Sequence, residues 1–98
     1  MPFKETDYSK LIPNELSERL KSNTNRDDEA KASELSGVNI STIRGVKFRQ
    51  NNLTESNAAG VIALAQIASL KLEDLSEKTK ADKRYFKNFL KDEKTLIG

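Results

Sequence analysis

The sequence predicts an all-α protein, a compact bundle of five or six short helices. Gly and Pro are scarce, four and two in 98 residues. Apolar residues recur at spacings of three and four rather than alternating, and capping residues or turn formers bracket most of the periodic stretches. No strand is expected.

Pro13 suits the first turn of a helix, where its missing N–H is not needed, and Leu16 and Leu20 then fall one turn apart on one face. This predicts a helix over about 13–23. Ser22-Asn23-Thr24-Asn25 breaks it with side chains that bond their own backbone, and Asp27-Asp28-Glu29 places negative charge at the positive end of a second helix, running to about Ser36. Gly37 stops that helix, and Asn39 is a good N-cap for a third, beginning at Ile40 and turning Ile43 and Val46 inward. The polar tract Arg49-Gln50-Asn51-Asn52 reads as a loop. Thr54 with Asn57 is half a capping box ahead of the most apolar stretch, 58–68, which is apolar almost all round and so belongs at the centre of the fold. Leu72 and Leu75 mark a short helix, and Asp82 is placed to cap a last one with Tyr85, Phe86, Phe89 and Leu90 on its apolar side.

Composition removes whole classes of function. With no Cys and no His there is no thiol nucleophile, disulfide, imidazole base or zinc site of the usual kind. The expectation is a protein without catalysis, cofactor, metal or small-molecule substrate. No apolar run approaches the roughly 18 residues of a membrane span, and Met1-Pro2-Phe3-Lys4-Glu5 lacks a signal peptide's apolar stretch, so a soluble protein away from membranes is expected.

The informative constellation is Ala32-Ser33-Glu34-Leu35-Ser36-Gly37-Val38-Asn39-Ile40-Ser41-Thr42-Ile43. Small residues at 32 and 33 allow close approach of a second helix, Gly37 makes the turn, and Val38 and Ile43 plug the crossing angle. It resembles the helix-turn-helix of the Cro/repressor-like (XRE-type) transcriptional regulators, with Ser33, Gly37 and Ile43 at the family's small, Gly and Ile/Val positions. Downstream, 64–75 is similar to the family's closing segment, an Ile-Ala helix, a small-residue turn and a short helix ending in Leu. The resemblance implies a lambda-repressor-like domain over 13–75, preceded by an N-terminal arm, 1–12, and followed by a basic helix, 76–98, packed on the same domain. Asp27 and Asp28 stand where the family commonly has Thr-Gln, and Gly45 stands where a family member often reads a base.

Shifted by 43 residues, Ala32–Lys47 overlays Leu75–Leu90, with Ser33 on Ser76, Asn39 on Asp82 and Ile43 on Phe86, while Gly37 meets Lys80. A second, degenerate helix-turn-helix over 57–92 is one reading; two unrelated capped amphipathic helices are the other.

The formal charge of +2 is unevenly spread. Residues 38–54 carry three basic and no acidic groups, and 76–98 carry seven basic and four acidic, each net +3. Both segments hold a candidate recognition helix, as expected of surfaces that meet phosphates. The resemblance implies that Ile40, Ser41 and Arg44 face base edges in the major groove, with burial in the core or a dimer contact the alternative for Ile40. Thr42, Lys47, Arg49, Asn51 and Asn52 are candidates for phosphate contacts, and Lys83, Arg84, Lys87 and Asn88 for a second DNA site. Tyr85, Phe86 and Phe89, at helical spacing, point to core or a dimer seam before base stacking.

The expected function is thus sequence-specific binding of double-stranded DNA by a small repressor or regulator, cytoplasmic in a prokaryotic or phage-infected cell. A homodimer is expected, because a module of this size buries little surface on DNA, with a seam around Phe89, Leu90, Leu96 and Ile97. The alternative is a module of the same fold that binds protein, such as an antitoxin, anti-repressor or inhibitor, which Gly45, Asp27 and Asp28 favour.

Overall fold

Side-chain caps start the helices that begin at Arg26 and Ile40, and Gly37 ends the first of them, within the residues that the computed structural model describes, 3–73 and 80–91. These hold five α-helices, a 3-10 turn at Glu5–Asp7 and no strand. Helix α1 spans Asn14–Asn23, with Pro13 just outside as N-cap residue and Leu16 and Leu20 fully buried. Helix α2, Arg26–Ser36, opens with a reciprocal cap: the Asp28 N–H donates to Asn25 Oδ1 and the Asn25 N–H to Asp28 Oδ2, both at 3.0 Å. Asp28 is therefore occupied in starting the helix, and it also pairs with Lys71 at 2.7 Å.

Gly37 ends α2 in the left-handed region, φ 77°, a conformation that side-chain-bearing residues rarely adopt. The turn is pinned by Ser33 Oγ, which donates to Val38 O at 2.6 Å, and by Ser36 Oγ, which accepts from the Val38 N–H at 3.2 Å. Helix α3, Ile40–Lys47, follows at once, its Ser41 N–H donating to the Asn39 side chain at 2.8 Å.

Helix α4, Ala58–Glu73, is the central element, buried on every side from 61 to 68. Its cap is complete rather than half made: the Thr54 N–H donates to Asn57 Oδ1 at 2.8 Å and the Asn57 N–H to Thr54 Oγ1 at 3.2 Å. Gly60 lets α4 lie close against α3 and its turn; a Cβ there would lie 2.7 Å from Ile43 Cγ1 and 3.0 Å from Val38 Cβ. The small-residue turn expected near Ser69 does not occur. No Gly or Pro interrupts 69–73, so the helix continues and buries Leu72, while Leu75 lies outside the described residues.

Helix α5, Lys80–Phe89, packs on α4, and its Phe86 is fully buried. Asp82 does not cap it. It sits in the first turn, and its carboxylate accepts from the Arg19 guanidinium and, at 3.0 Å, from Asn23 Nδ2, tying α5 to the end of α1. Arg19 also lies over the Tyr85 ring, 4.6 Å from its centroid, and Phe89 meets Phe3 edge-on at 5.2 Å. Burial is the chief cause holding the Tyr85 phenol above its ordinary pKa, with the Glu15 charge adding and Arg19 opposing.

The segment expected as an N-terminal arm is part of the core: Phe3 and Ile12 are buried, and the Ser9 and Leu53 N–H groups make 2.7 Å bonds across an isolated bridge between Lys10 and Leu53. The aromatic seam expected around Phe89 and Leu90 is likewise half-buried against this core, and Leu96 and Ile97 lie outside the described residues. Among the described residues no helix is long and apolar enough to cross a membrane.

Candidate nucleic-acid interface

An eight-residue helix exposes only one stripe once its inner side is packed. In α3 the inner side is Ile43 and Val46, both fully buried, with Lys47 beside them. The outer stripe is Ser41, Arg44, Gly45 and Phe48, spaced three and four apart. With Gln50 these residues line a shallow depression of about 400 Å³. Phe48 is exposed, and its N–H closes the helix on Arg44 O at 3.0 Å.

Lys47 is not at the surface, contrary to the expectation that it meets phosphate. It is 3% exposed, and its ammonium lies 2.6 Å from Glu29 Oε2 and 3.3 Å from Thr24 O. Glu29, 1% exposed, uses its other oxygen to accept from Arg44 at 2.6 Å. One buried carboxylate of α2 thus holds two cations of α3, and burial of each charge is made tolerable by the other. Ser17 Oγ adds a 2.6 Å bond to the Lys47 carbonyl, fixing the end of α3 against α1. Glu29 was readable in principle: it lies three residues before Ala32 on the inward side of α2, as Lys47 lies four after Ile43.

This pairing changes the charge of the face. Of the three basic groups in 38–54, Lys47 is internal and Arg44 shares the Glu29 carboxylate, yet the Arg44 side chain remains 39% exposed, its guanidinium carbon 5.4 Å from the centroid of the Phe48 ring. Arg49 is exposed at φ 59°, and its Nε donates to Ile12 O at 2.8 Å. Ile40 and Thr42 are half-buried at the start of α3, while Asn51 and Asn52 are exposed in the loop after it.

The second basic group is on α5. Lys80, Lys83, Arg84, Lys87 and Asn88 line a shallow surface depression of about 270 Å³, with Arg84, Lys87 and Asn88 exposed and Lys83 half-buried on the flank nearer Phe86. The overlay that suggested a second motif fits the backbone poorly, because α5 is already helical at Lys80, the position matched to the turn residue Gly37. Tyr85 stacks on Phe89, centroids 6.4 Å apart, and meets Phe86 edge-on, so these rings pack together and not into the basic depression. Among the described residues no group of three or more acidic, His or Cys side chains is placed to hold a metal ion.

Comparisons with models of protein families, with curated proteins and with solved structures return no match.

Proposed function

We propose that this chain is a sequence-specific DNA-binding protein, a small regulator of the Cro/repressor-like kind, that reads the major groove with the outer face of α3. One observation carries the reading: Ser41, Arg44 and Phe48 form an exposed stripe with no acidic residue anywhere in 38–54, on a helix held by the left-handed Gly37 turn and anchored beneath by Glu29. Arg44 then reads a guanine with the donors that Glu29 leaves free, and Ser41 contacts a neighbouring base. Arg49 and Asn52 fix the register on phosphates. Two copies are required for useful affinity, since one short helix makes few base contacts.

A fluorescence titration against random-sequence duplex at several salt concentrations tests this. Affinity should fall steeply as salt rises, because each phosphate contact releases counterions. Arg44→Ala should then cost about 1–3 kcal/mol at the preferred site and relax choice at one base pair. Equal affinity of parent and variant for that site refutes the assignment of Arg44. Neutralising Lys83, Arg84 and Lys87 to Gln should reduce the salt slope and leave the preferred sequence unchanged, as expected of a phosphate-facing patch. A changed preferred sequence would instead make α5 a second reading helix.

The protein-binding alternative has its own support. Lys47 is internal, Arg44 is half neutralised and Phe48 is an exposed aromatic, so the face is less basic and more apolar than its sequence suggests. Absence of salt-dependent affinity for any duplex would favour that reading.

A further inference from the structure

The outer stripe of α3 has a residue without a side chain at its middle, and yet Gly45 is buried. Asn51 covers it. A Cβ at position 45 would lie 2.1 Å from Asn51 Nδ2 and 2.8 Å from its Cγ, so the Asn51 carboxamide fills the space that a side chain on residue 45 would take. The loop is pinned there, because Gly45 O accepts from the Gln50 N–H at 2.8 Å and from the Asn51 N–H at 3.1 Å, just after Arg49 turns the chain at φ 59°. Asn51 is exposed, and its carboxamide has no hydrogen-bond partner among the described residues.

We propose that Asn51 is a base-reading residue, supplying from the loop the side chain that α3 lacks at its middle, and that its carboxamide recognises adenine. The chemistry is that of a primary amide on a pinned backbone, whose oxygen accepts from adenine N6 while its NH₂ donates to N7. A phosphate contact would need only a donor at the edge of the helix, whereas this amide lies over Gly45, on the same side of α3 as Ser41. Gly45 is then a requirement of the site, since any larger residue expels Asn51. The proposal rests on α3 being the DNA-reading helix, and the test separates the two.

Sites are selected from a random duplex library with the parent protein, then affinities for the selected site and its single-base variants are measured for the parent, Asn51→Ala and Gly45→Ala at one salt concentration. Asn51→Ala should lose about tenfold or more of the preference for A·T at one position, without change of salt slope. Gly45→Ala should lose the same preference at the same position while melting no lower than the parent, because Ala is favoured over Gly within a helix. If both variants keep the parent's preferences while Arg44→Ala does not, the assignment of Asn51 falls and the reading of α3 stands. A uniform loss of affinity across all sequences on Asn51→Ala overturns it in favour of a phosphate contact. A parent with no sequence preference overturns both.

Discussion

Glu29→Ala should destabilise the fold by about 3–5 kcal/mol, because it leaves the Lys47 ammonium buried without a counter-charge. That is a fifth or more of what a domain of ordinary stability has, about 5–15 kcal/mol. The check is equilibrium unfolding in urea, where the midpoint should fall while the slope is kept. Two companion variants isolate the cause. Glu29→Gln keeps an acceptor for one cation and should cost less than Glu29→Ala. Glu29→Leu combined with Lys47→Met removes both charges in favour of apolar side chains of similar volume and should recover most of the loss, as replaced buried pairs commonly do. If the double variant is no more stable than Glu29→Ala, the buried charge is not the source of the effect. The same double variant releases Arg44 from its 2.6 Å bond, so under the proposed reading of DNA by α3 its base selectivity should broaden even where stability is restored.

Local signals were read well from the sequence, and signals that depend on distant partners were not. Asn39 and Gly37 set the start of α3 and the end of α2 through bonds that reach no further than five residues, and Asn25 starts α2 in the same way. The apolar run from 58 placed α4 at the centre because a helix without a polar face has nowhere else to go. Lys47 was misplaced because charge counted along the chain assumes that a cation lies at the surface, whereas its partner is 18 residues away on another helix. Asp82 was misread because an acid near a helix start looks the same whether it caps the helix or, as here, bridges to Arg19 and Asn23 on α1. The covering of Gly45 had no local cue: the chain reverses at Arg49, a residue type not associated with positive φ, so the four polar residues of the loop looked alike. The outer position 41 of α3 is exposed as helical spacing alone requires, whereas 44, which bonds the buried Glu29, is half-buried like 40 and 42.

Phe86→Ala should cost about 3–5 kcal/mol, the range for truncating a large aromatic residue in a packed core. At roughly 4–8 °C per kcal/mol for a domain of this size, the melting temperature should fall by about 12–40 °C or folding should be lost. The reason is positional: α5 is amphipathic, and Phe86 enters the core while Arg84 and Lys87 are exposed on the other side, so substitutions of those two to Gln should stay within about 0.5 kcal/mol of the parent. The concentration dependence decides between a core helix and a dimerisation helix. For a core helix, the melting temperature of Phe86→Ala falls by the same amount at every protein concentration. For a seam between two copies, it would approach that of the parent as concentration rises, because association stabilises by mass action. Phe3 packing on Phe89, and Asp82 bonding to Arg19 and Asn23, place α5 within the single chain's own structure. Removing the chain from Lys80 onward should therefore uncover Phe3 and the apolar flank of α4 and unfold the domain, not convert a dimer into a folded monomer.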